Sequence, residues 1–86
     1  MRRAVADVIL MQIAKKRLRQ TDVARRSGVA RSYLQALLRA QKNVSLCVCV
    51  ELGHGLGFED DTAFLQAVMQ RWAQLREDRL KQRRTG

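Results

Sequence analysis

Between Leu18 and Leu46 the chain reads LRQTDVARRSGVARSYLQALLRAQKNVSL, and this stretch restricts the fold more than any other. Val23, Ala24, Val29, Leu34 and Leu37 recur at helical spacing on either side of Ser27-Gly28-Val29. That pattern predicts two short helices, residues 20–27 and 31–39, locked together across a tight turn. Gly28 sits where the backbone between them has to take a positive φ, which glycine adopts without a steric penalty.

The rest of the chain is read in the same way. With no proline and only five glycines among 86 residues, of which 47% are hydrophobic, helices joined by short turns fit better than a strand-rich sandwich. The length suits one small domain, 1–86, with a limited core. A first helix over 3–17 carries Val5, Ile9 and Ile13 on one stripe, with Val8 beside it. After the polar loop 40–44, Ser45 is a good N-cap for a fourth helix reaching residue 56, and Gly57 is its C-terminal stop. Gly53 and Gly55 each weaken that helix by roughly 1 kcal/mol relative to alanine, so close packing is expected to explain at least one of them. Leu34, Leu37, Leu46, Leu52 and Leu56 read as core. A fifth helix opens after the acidic Glu59-Asp60-Asp61, whose charge suits a helix N-terminus, and runs over 61–82, with 82–86 as a fraying basic tail. The expected fold is all-α, with five helices, a core over 1–57 and an extended C-terminal helix.

That last helix carries Phe64, Leu65, Val68, Met69, Trp72 and Leu75 as one broad apolar stripe. Four short helices should not need so much apolar cover, so the expected use of the stripe is a seam between two copies of the chain, with cover for the chain's own core as the alternative for part of it.

Charge is unevenly placed. Residues 1–45 hold eleven Lys or Arg against Asp7 and Asp22, a net +9, whereas residues 46–86 hold six of each sign and are neutral. A basic surface around paired helices is what neutralising nucleic-acid phosphates requires. A plain solvated face or an anionic-membrane surface is the alternative, but the segment lacks a matching large apolar face.

Cys47, Cys49 and nearby His54 raise the question of a metal. Residues two apart on a helix point to nearly opposite sides and zinc wants four convergent ligands, so Cys49 is read as buried and Cys47 as nearer the surface, with no metal and no cofactor. Nothing suggests a disulfide framework, which fits a reducing cytoplasm. The N-terminal MRRAVADVILMQIA is interrupted by Asp7 and followed by Lys15, Lys16 and Arg17 in place of a cleavage site, so it reads as a helix and not a signal peptide. No segment approaches the length of a bilayer span. One histidine, no acid-base constellation, no nucleophile with a partner and no glycine-rich phosphate loop argue against an enzyme.

Taken together, Leu18, Gln20, Val23-Ala24, Ser27-Gly28-Val29, Arg31-Ser32-Tyr33-Leu34, Leu37, Lys42-Asn43, Ser45-Leu46, Leu52 and Leu56-Gly57 resemble, at their spacing, the Cro and phage-repressor (Xre) family of helix-turn-helix DNA-binding proteins. The likeness covers residues 5–57, about two-thirds of the chain. It implies that the second paired helix enters the major groove while the first starts against the phosphate backbone. Carried across by position, Arg31, Ser32, Gln35 and Ala36 face the bases, and Gln20, Tyr33, Arg39, Lys42 and Asn43 hold phosphates. Arg31 is the best reader, since its guanidinium can donate twice to guanine O6 and N7. Arg31 has a second reading, as a solvated surface arginine, Tyr33 one as half-buried packing, and Gln35 one as a side chain that touches nothing.

The chain also departs from the family pattern. Arg19 and Ala30 stand where small hydroxyl caps are common, Ala36 replaces a long polar reader, and Val44 replaces a proline. Ile13 and Leu38 occupy the places of a frequent Arg–Glu pair, which predicts an apolar contact between the first and third helices. The resemblance implies a homodimeric, sequence-specific transcriptional repressor on a palindromic operator of double-stranded DNA. Short controllers of this kind belong to phages, plasmids and restriction-modification systems. A second expectation is the antitoxin of a toxin-antitoxin pair, in which the same domain also grips a toxin.

Overall fold

The computed structural model describes residues 1–60 and 62–85, with the helical backbone alone for 82–85. Five helices follow one another: α1 (Arg2–Lys16), α2 (Gln20–Ser27), α3 (Arg31–Leu38), α4 (Leu46–Gly55) and α5 (Ala63–Thr85). No strand occurs among the described residues. Asp61, with which the sequence opens the last helix, and Gly86 lie outside them, and α5 continues to Thr85 through most of the segment read as a tail.

Each helix packs on two others in a ring, α1 on α3 and α5, α2 on α3 and α4, and α4 also on α5. α1 buries more than a single stripe: Ala4, Val5, Ala6, Val8 and Ile9 are all inside. Val23, Ala24, Val29, Leu34 and Leu37 are buried, as their spacing predicts, and so are Leu52 and Leu56. Ile13 and Leu38 are both half-buried and pack against this core.

Leu46 departs from its reading as core and is 69% exposed. It shares a stripe with the buried Cys49 but falls in the first turn of α4, where no neighbouring element covers it. A larger correction concerns α5. Phe64 and Val68, read as part of a seam between copies, belong to the chain's own core, with Phe64 fully buried and its ring 5.7 Å from that of Phe58. Leu65 and Leu75 are half-buried against the same core, which leaves Met69 and Trp72 exposed. At about 100° per residue the stripe is two faces side by side. Phe64, Val68 and Leu75 point inward, and Leu65, Met69, Trp72 and Leu80 form an adjoining outer row.

Local chemistry sets the helix ends. The Ser45 hydroxyl accepts from Val48 N–H at 3.2 Å and caps α4. Neither Arg19 nor Ala30 supplies a side-chain cap to α2 or α3. Three helices end in one way, with a residue in the left-handed region and a bond reaching five residues back, which satisfies carbonyls the helix leaves open. After α1, Leu18 N–H reaches Ile13 C=O around Arg17 (φ 53°). After α3, Gln41 reaches Ala36 around Ala40 (φ 57°), and after α4, Phe58 reaches Gly53 around Gly57 (φ 80°).

Close approach explains Gly55. A Cβ there would stand 2.9 Å from the Val23 carbonyl oxygen and 2.9 Å from the Ser27 Cβ, so α4 can meet α2 only through a glycine. Gln12, a buried polar side chain, donates from Nε2 to the Leu56 carbonyl at 3.0 Å and ties α1 to the end of α4. Arg71 Nε donates to Asp7 Oδ2 at 3.0 Å and joins α5 to α1 through a half-buried ion pair. At the entry to α5, Asp60 Oδ1 accepts from both the N–H and the hydroxyl of Thr62. These bonds hold the Asp60 carboxyl below its usual range.

Candidate functional site

The outer face of α3 is built by helical arithmetic. Leu34 and Leu37 are fully buried and Tyr33 and Leu38 half-buried, which fixes the inward half of an eight-residue helix. At about 100° per residue, Arg31, Ser32, Gln35, Ala36 and Arg39 fall together on the remaining half. Arg31, Ser32 and Arg39 are exposed, while Gln35 and Ala36 are half-buried at its edges. The face holds two cations, one hydroxyl and one amide, and no carboxylate.

α2 and its turn hold α3 in place. Gly28 takes φ 72°, in the left-handed region. Next to it the buried Ser27 hydroxyl donates to Val23 C=O at 2.7 Å and accepts from Val29 N–H at 3.4 Å, bridging the turn from below. A serine here therefore has a structural use beyond its place in the motif, which the sequence reading did not assign. Gln20, the first residue of α2, is exposed at the uncapped N-terminus of that helix.

Beyond α3, Lys42 and Asn43 are exposed in the loop before α4. Tyr33 organises this loop. Its O–H donates to the Asn43 carbonyl at 3.0 Å, and Lys42 Nζ lies 5.5 Å from the centre of its ring. The tyrosine thus combines half-buried packing with a hold on the loop, and its one proton is engaged by Asn43. A hydroxyl proton is what a phosphate oxygen would need from it, so the ring acts on its surroundings chiefly by placing Lys42 and Asn43.

The cations Lys15, Lys16, Arg17, Arg19, Arg25 and Arg26, at the end of α1, in the turn after it and in α2, are also exposed, with Lys15 and Lys16 beside the entry to α5. Of these, Arg25 is engaged by Asp22 at 3.1 Å. Cys49 is buried and burial pushes its thiol up, whereas Cys47 is exposed. Among the described residues no three His, Cys, Asp or Glu side chains gather as metal ligands. No helix is long and apolar enough to cross a membrane. No family model, curated protein or solved structure matches this chain.

Proposed function

We propose that the chain is a sequence-specific DNA-binding protein of the Cro and phage-repressor type, with a lambda-repressor-like fold, that represses transcription as a homodimer. The observation that carries this reading is the division of α3 into an inner half of Leu34, Leu37, Leu38 and the Tyr33 ring and an outer half free of carboxylates, set in the half of the chain that holds the entire net charge of +9. Eight residues of helix span about 12 Å, close to the width of the major groove of B-DNA.

Within this reading Arg31 reads a guanine, and Ser32, Gln35 and Ala36 lie against neighbouring base edges. The Ala36 methyl suits the methyl group of thymine. Gln20 and the open N–H groups of the first turn of α2 meet one phosphate, which the absence of a side-chain cap from Arg19 leaves them free to do. Arg39, Lys42 and Asn43 meet another. These phosphate contacts supply grip and register, and the base contacts supply choice.

The outer row of α5, Leu65, Met69, Trp72 and Leu80, is the seam of the proposed dimer. Met69, Trp72 and Leu80 are exposed large apolar side chains on one helix, and a second copy would bury them. Pairing two motifs across a two-fold axis, with half-sites about 34 Å apart, is the ordinary route to useful specificity. Selection of bound duplexes from a random pool tests the whole reading. It should return a site with two-fold symmetry, and a pool that shows no enrichment would overturn the proposal.

A further inference from the structure

A groove of about 550 Å3 opens between the N-terminal turn of α1 and the middle of α5. Among the described residues Arg3, Arg76 and Arg79 line it with Asp78 as the only carboxylate, and Trp72 and Leu75 supply apolar wall. Among the described residues none of the three arginines forms an ion pair. The Arg76 guanidinium lies over the Trp72 ring, 5.5 Å from its centre, which holds both side chains in place beside the opening. Trp72 remains 39% exposed.

We propose that this groove binds a small anion with a flat apolar body, of the class of aromatic carboxylates and sulfonates. Its volume falls within the range of about 300–1,000 Å3 typical of small-molecule sites. Its wall offers a flat ring for stacking, and guanidinium groups form paired, charge-assisted hydrogen bonds to oxyanions. Three cations against one carboxylate leave an excess of positive charge that such an anion would neutralise. The groove of about 500 Å3 on the other side of α5 is less cationic, with Lys15 as its one unpaired cation and its single arginine, Arg71, already paired with Asp7. Nothing in the proposal rests on the DNA-binding reading of α3, but Trp72 also belongs to the proposed seam, so the anion and a second copy compete for this face.

Trp72 is the single tryptophan, so its fluorescence reports on the site directly. Naphthalene-2-sulfonate should quench it saturably, and the uncharged naphthalene-2-sulfonamide should bind at least about tenfold more weakly, the loss expected for one charge-assisted contact. Arg3→Gln combined with Arg79→Gln, checked for unchanged helical content, should weaken the sulfonate by a similar factor or more, while Lys16→Ala, at the other end of α1, leaves it unaltered. Equal affinity for the sulfonamide, undiminished binding by the double variant, no saturable quenching, or tighter binding of an oligoglutamate peptide than of the sulfonate would each overturn the assignment.

Discussion

Single residues fix how closely the helices meet, and Gly55 is the sharpest instance. Its missing Cβ would be 2.9 Å from a backbone carbonyl oxygen that cannot swing away. Gly55→Ala is therefore expected to destabilise the domain by about 3 kcal/mol through overpacking. Gly53→Ala should cost far less, since its Cβ would meet that of Phe64 at 3.4 Å. Urea unfolding of the two variants checks the contrast, and similar losses would contradict it. The sequence shows that one of these glycines needs close packing but not which, because the answer depends on where α2 lies. Arg17 and Ala40 were illegible in another sense. Each holds the left-handed turn that a glycine normally announces, so nothing in the residue types marks the place. Ala40→Gly should consequently stabilise the fold by about 1 kcal/mol, the relief of an unfavourable left-handed residue. Asp60 gives a pH signature. Its carboxyl is held below the usual 3.8 by the Thr62 donors, so its contribution to stability is full above that value. It should disappear as pH falls through the lower native value, and Asp60→Asn should remove this part of the acid dependence.

Elements were legible where one face alone is buried. The paired helices α2 and α3 appear where the apolar spacing of Val23, Ala24, Leu34 and Leu37 puts them, and the outer face of α3 follows as its complement. α5 was less legible because its apolar residues cover two adjoining faces. A wide stripe states how much surface must be covered but not by what. In the structure α1 and α4 cover Phe64 and Val68, while Met69, Trp72 and Leu80 stay outside. Leu80 joins that row although the sequence reading had not included it. Met69→Glu combined with Trp72→Glu therefore tests the seam without disturbing the core. Sedimentation should show a folded, helical monomer whose affinity for the selected duplex falls by orders of magnitude, and a variant that remains dimeric would contradict the seam. Tyr33 shows a subtler limit of sequence. Its place in the motif suggests a phosphate contact, but the loop carbonyl that engages its hydroxyl is fixed only by the fold.

Across the whole molecule, charge and shape divide the work. The basic half carries α3 and its flanks, and the electrically neutral half supplies α4, the inner wall of α5 and the proposed seam. If each dimer meets six to ten phosphates, the logarithm of its affinity should fall with the logarithm of salt at a slope of about −5 to −9. Salt-insensitive binding would count against phosphate contacts altogether. The most direct test is one set of affinities, for the selected duplex and a scrambled one, with the natural chain, Arg31→Ala and Lys42→Ala. Arg31→Ala should lose about 1–3 kcal/mol on the selected duplex and little on the scrambled one, whereas Lys42→Ala should weaken both alike. Equal losses for both variants on both duplexes would contradict the claim that α3 reads bases.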